Sequence, residues 1–255
     1  MGPDKRKDRL LEMVENTPKR SRASIKHAWV HIEKAKALVG IDNEMAVFRA
    51  ITAEEEVATG IIHALQDIGY DRANLLNPRD HKHKSGMWYL LKIISAFMHG
   101  VDSEGVFKGI VSEGNGEDGG KLVISFPSPI HGDSRWVNPV PPLNFSISSD
   151  EKNISFQKQA QELASIHNKK KLEKFISKEA NLRNELIYAS PDGLPSVTEA
   201  PSGFISERKL RVMALTYAYL LISQYREKQV FVQQSLDAYL RMLGRNQAEH
   251  LHHAL

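Results

Sequence analysis

Three consecutive glutamates inside an apolar stretch constrain the fold of this chain more than any other feature. The stretch reads FRAITAEEEVATGIIHALQDIGY, from Phe48 to Tyr70. Val47, Ile51, Ala58, Ile61, Ile62, Leu65 and Ile68 recur at helical spacing and predict a helix from Asn43 to about Gly69. Asp42 or Asn43 can cap its start. Successive helical residues turn by about 100°, so Glu54, Glu55 and Glu56 cannot all face inward. Glu55 follows Ile51 by four residues and precedes Ile62 by seven, which makes it the best inward candidate. Glu54 flanks the apolar stripe. A buried carboxylate needs a partner. The alternative is a solvated acidic face, because glutamate is seldom fully buried.

A second helix precedes this one. Ile25, Ala28, Trp29, Ile32, Ala35 and Val39 predict helix over residues 21–39, and Gly40 ends it. The short turn between the two helices implies an antiparallel hairpin. Residues 4–16 read as a charged helix at the periphery, with a break at Thr17-Pro18. Trp88, Leu90, Leu91, Ile94, Phe97 and Met98 predict a third core helix over residues 83–99. Between Val101 and Asp150 the chain is rich in Gly and Pro. There GVFKGIVSEG and KLVISF flank GNGEDGG as a β-hairpin would, and one or two further strands follow. The prolines argue against a central place in a sheet. Helix resumes near Ser155 and can run to Tyr188, either straight or with a kink near Asn168. Further helices are expected over residues 206–226 and 230–243. The fold class is therefore mainly α, a helical bundle with a small insertion containing a β-hairpin. The expected segments are a peripheral 1–20, a first half of the bundle over 21–100, the β insertion over 101–150 and a second half over 151–255.

The late helix carries the second polar interruption, KEANLRNELIYAS, from Lys178 to Ser190. Tyr188 falls five residues after Arg183, so the two are near neighbours on one helix. If this helix packs on the first, Arg183 is the natural partner for Glu55 or Glu54. The structural alternative pairs Arg183 with Glu179 or Glu185 and half-buries Tyr188.

The stretches ITAEEEVATGIIHAL and RNELIY together resemble the HEPN superfamily (higher eukaryotes and prokaryotes nucleotide-binding), closest to its abortive-infection V type. Many HEPN ribonucleases carry Arg, a polar residue, and then His four to six residues after the Arg. Arg183 and Asn184 match the first part, and Tyr188 stands where His is expected. The resemblance implies a bacterial defence or stress protein that binds RNA or a nucleotide and acts as a dimer. Arg183 and Asn184 would contact the substrate, with Tyr188 and Glu55 completing the candidate catalytic set of a metal-independent ribonuclease. Tyrosine, with an ordinary pKa near 10, is poorly suited to moving a proton near neutrality, so cleavage is expected to be weak or absent. The competing reading is a non-catalytic helical protein that engages a partner protein.

Other chemistries find little support. The chain has no cysteine, which excludes disulfides, thiolate metal sites and cysteine nucleophiles. His81-Lys82-His83 and His250-Leu251-His252-His253 lack the ligand spacing of a metal site, and their settings favour exposure. No metal and no cofactor is expected. GNGEDGG lacks the Lys-Ser/Thr ending of a phosphate loop. The basic runs at Lys5-Arg6-Lys7, Lys19-Arg20-Ser21-Arg22 and Lys169-Lys170-Lys171 suit phosphate contacts or solvated helix faces. Neither a signal-peptide h-region nor an apolar run of about 20 residues is present, so no membrane is expected and the cytoplasm is the expected compartment.

Overall fold

The α2–α3 hairpin is the frame on which the other elements pack. In the computed structural model the described residues are 3–103, 109–115, 119–128, 135–145, 169–186, 188, 197 and 201–244. They form α1 (Pro3–Glu15), α2 (Lys19–Leu38), α3 (Asn43–Ile68), a 3-10 turn (Ala73–Leu75) and α4 (His81–Ser103). Then come β1 (Ile110–Glu113), β2 (Leu122–Ser128) and β3 (Arg135–Val137), followed by α5 (Lys169–Glu185), α6 (Ser202–Ser223) and α7 (Val230–Met242). The architecture is mainly α with a small three-stranded antiparallel sheet.

Asp42 caps α3, its side chain accepting the Met45 N–H at 2.9 Å. Gly69 closes the helix at φ +82°, a left-handed conformation that suits glycine. The two helices of the hairpin bury Ile25, Ala28, Trp29 and Ile32 against Ala53, Val57, Ala58 and Ile61. Gly60 allows this approach, since a Cβ there would lie 2.6 Å from Ile25 Cδ1. Each buried aliphatic side chain contributes about 1.5–3 kcal/mol.

Helix α6 lies along α3 and buries Val212, Leu215, Tyr219 and Leu220. The Tyr219 hydroxyl donates to Thr17 Oγ1 at 2.7 Å and lies 3.0 Å from Ser21 Oγ, fastening the α1–α2 turn to α6. Helix α1 is not peripheral as its charge suggested. Leu10, Met13 and Val14 are buried in the main core, because the helix is amphipathic and its charges face away. Gln229, at the start of α7, is fully buried and tied on three sides. Its N–H donates to the Tyr70 hydroxyl at 2.9 Å, its Oε1 accepts from Leu143 N–H at 2.8 Å, and its Nε2 donates to Leu221 O at 2.9 Å.

The β-hairpin around the Gly-rich turn is present, with Ile110 opposite Ser125 and Glu113 opposite Leu122. Pro127 does stand in the central strand, contrary to the expectation from proline density. Among the described residues strand β1 pairs with Leu122–Ser125, and β3 pairs with Phe126–Ser128. Among these residues Pro127 has a ladder toward β3 alone, the situation proline tolerates. The expected helix start near Ser155, the kink near Asn168 and the C-terminal histidines lie outside the described residues.

Candidate functional site

Glu54 and Glu55 both face inward, at 4% and 5% exposure, and each meets different partners. Two adjacent helical residues can do this because they point to two neighbouring helices about 100° apart. Glu54 faces α6. Its Oε2 accepts from Arg208 Nη1 at 2.5 Å and from Arg211 Nη1 at 3.4 Å. Arg208 lies over the Phe204 ring and Arg211 over Trp88. Glu56 is half-buried beside His27.

Glu55 faces α4. Its Oε1 lies 2.7 Å from His81 Nδ1, and its Oε2 lies 3.2 Å from Lys84 Nζ. On the far side of the imidazole, Nε2 lies 3.1 Å from Arg183 Nη1. Glu55, His81 and Arg183 thus form one continuous row contributed by α3, α4 and α5. The protons in this row can be assigned. A guanidinium only donates, so His81 Nε2 must accept from Arg183. Nδ1 then carries the hydrogen and donates to Glu55. The carboxylate fixes the ring's orientation and tautomer, and the Nε2 lone pair faces the cation.

Arg183 packs over the Phe48 ring, 4.8 Å from its centroid. Its Nε is buried and has no hydrogen-bond partner. Arg49 is similar: Nη1 lies 3.4 Å from His31 Nδ1, and Nε is buried and unpartnered. Among the described residues neither guanidinium is in an ion pair with a carboxylate. Both act on His31. Burial first, then the charges of His27, Arg49, Lys34 and Arg183, push its pKa down from 6.5 to about 4. The imidazole of His31 is therefore neutral at pH 7. Arg49, Arg183 and Lys84 bring three cations to this region, where Glu55 is the carboxylate paired with His81 and Lys84.

The His31 shift sets a pH dependence. The unfolded imidazole titrates near 6.5 and the folded one at about 4, so the unfolded chain binds the extra proton between these values. The contribution to stability is complete above about pH 6.5 and is lost as pH falls toward 4. Urea denaturation should show a loss of roughly 1–3 kcal/mol across that window, absent from His31→Asn. Equal slopes in both proteins would refute the assignment.

Of the residues singled out in the sequence, Glu55 and Arg183 come together, bridged by His81 rather than in direct contact. Asn184 and Tyr188 do not join them. Helix α5 ends at Glu185, Asn184 is exposed, and Tyr188 is 66% exposed beyond the helix end. No ion pair joins Arg183 to Glu185, and the Glu179 side chain lies outside the described residues. His83 is buried, against the expectation of exposure, with Nδ1 accepting the Asn77 N–H at 2.9 Å. His81 was the residue missed. Its lysine-rich surroundings resembled a solvated turn, yet it begins α4 on the side that meets α3. The one available signal was the absence of an imidazole after Arg183, which left that role open for a histidine elsewhere.

Among the described residues no helix is long and apolar enough to cross a membrane, and no group of three or more His, Cys, Asp or Glu is placed to hold a metal ion. Comparison with protein-family models, with curated proteins and with solved structures found no match.

Proposed function

We propose that this chain binds RNA or a nucleotide phosphate at the Arg49–Arg183–Lys84 cluster, and that His81 moves the proton in a metal-independent phosphodiester cleavage. The observation that carries this reading is the Glu55–His81–Arg183 row, at 2.7 and 3.1 Å. An RNA 2′-hydroxyl would give its proton to His81 Nε2 as its oxygen attacks the adjacent phosphorus. The bond to the 5′-oxygen breaks, that oxygen takes up a proton, and a 2′,3′-cyclic phosphate remains. For this Arg183 must shift from Nε2 to the phosphate, where its charge stabilises the developing anion. Glu55 acts as a positioning residue, holding the ring and its tautomer. The imidazole that the Arg-Asn-x-x-x-Tyr segment lacks would thus come from α4.

The competing reading is a non-catalytic helical interaction protein. The buried Glu54–Arg208 pair supports it, because it joins α3 to α6 by a charge pair inside the bundle. RNA binding separates the two. Fluorescence anisotropy with a labelled single-stranded RNA should show affinity falling steeply with salt. Arg49→Ala and Arg183→Ala should each weaken binding about tenfold at low salt and reduce the salt slope by about one. Wild-type protein that fails to bind RNA at low salt would favour the interaction protein.

A further inference from the structure

We propose that a partly open apolar cavity, separate from the cationic site, binds a small uncharged hydrocarbon-like molecule. The cavity has a volume of about 230 Å³. Native interiors are packed to the density of organic crystals and keep few voids larger than a water molecule. An engineered cavity of about 150 Å³ stays dry and takes up benzene. The present one is larger, and it lies between four helices and the sheet. Leu90 of α4, Ile124 of β2, Leu215 of α6 and Leu236 of α7 line it from different sides. Phe145 and Phe231 form another part of the wall, their rings stacked 4.9 Å apart at 18°. Helix α3 adds Ile61 and Leu65 to the lining.

The lining also specifies the ligand's chemistry. Among the described residues only Ser235 and Tyr239 bring hydroxyls to it. Ser235 Oγ donates to Phe231 O at 2.7 Å, and Tyr239 Oη donates to His83 O at 2.5 Å. Both hydroxyl hydrogens are committed, so these residues offer a polar ligand group no free donor and at most a hydroxyl lone pair, a poor exchange for full hydration. A molecule that is apolar throughout suffers no such loss. None of the residues of the Glu55–His81–Arg183 row lines the cavity, so the inference stands whether or not RNA binds there.

The test uses the full chain and a matched pair of probes, n-butylbenzene and 3-phenylpropan-1-ol, which differ by a methyl against a hydroxyl. At saturation n-butylbenzene should raise Tm by about 3–6 °C, and the alcohol by clearly less. Methyl NMR should show shifts at Leu90, Leu215 and Leu236 with n-butylbenzene. Ala218→Leu and Ser235→Val, each adding volume at the lining, should abolish the Tm response, and either variant suffices if the other does not fold. The proposal is overturned by no Tm rise with n-butylbenzene, by an equal rise with the alcohol, or by methyl shifts confined to residues outside the cavity.

Discussion

Glu54→Ala is expected to lower folding stability by about 3–5 kcal/mol. Glu54 and Arg208 are 4% and 3% exposed, and their oxygen and nitrogen are 2.5 Å apart. The cost of bringing both charges out of water is offset by their pairing. Truncation removes the carboxylate that Arg208 and Arg211 share and leaves buried positive charge facing a cavity. Glu56→Ala is the control one residue along the same helix. Its side chain is 29% exposed beside His27 at 3.8 Å, and its loss should cost less than about 1 kcal/mol. Urea denaturation of both variants at pH 7 measures the difference. A loss below about 1 kcal/mol for Glu54→Ala would mean that the pair is dispensable to the fold.

The helical architecture was legible in the sequence because its signals are local. Ile25, Trp29 and Ile32 on α2 and Ala58, Ile61 and Leu65 on α3 repeat at the spacing of a buried helix face, and all of them are in the core. Asp42 and Gly69 mark the ends of α3 by side-chain capping and by left-handed backbone, which are also local. The hairpin in the insertion was legible for the same reason, since short runs rich in Val and Ile flank a Gly-rich turn. What failed depends on which helix lies beside which. One helix face can identify Glu54 and Glu55 as inward candidates but cannot say that α6 supplies Arg208 and α4 supplies His81. These partners lie 154 and 26 residues away in sequence. His81 was invisible for a further reason. A histidine among lysines reads as exposed by composition, and only the packing of α4 on α3 turns its ring toward Glu55. Tyr188 failed in the opposite direction. Its spacing from Arg183 assumed that the helix continues, and α5 ends first.

His81→Gln is expected to reduce RNA cleavage at least about 100-fold while leaving RNA affinity within about threefold of wild type. Glutamine can accept from Arg183 through its carbonyl and donate to Glu55 through its amide, so the row keeps its hydrogen bonds and the fold its packing. It cannot carry a proton near neutrality. A positioned acid–base group contributes about 10²–10⁴-fold, and that contribution is what the substitution removes. Glu55→Gln should give a smaller loss, because the imidazole remains but its tautomer and orientation are less firmly held. Tyr188→His should restore nothing, despite completing the family's sequence pattern, since position 188 is solvent-exposed beyond the end of α5. These three variants discriminate between sources of the proton-transfer group. Cleavage that survives His81→Gln would show that the α4 imidazole takes no part. A gain with Tyr188→His would show that the end of α5 reaches the phosphate after all. RNA binding without cleavage in the wild type would leave Arg49, Arg183 and Lys84 as a phosphate-binding surface, with Glu55 and His81 serving to hold α3, α4 and α5 together.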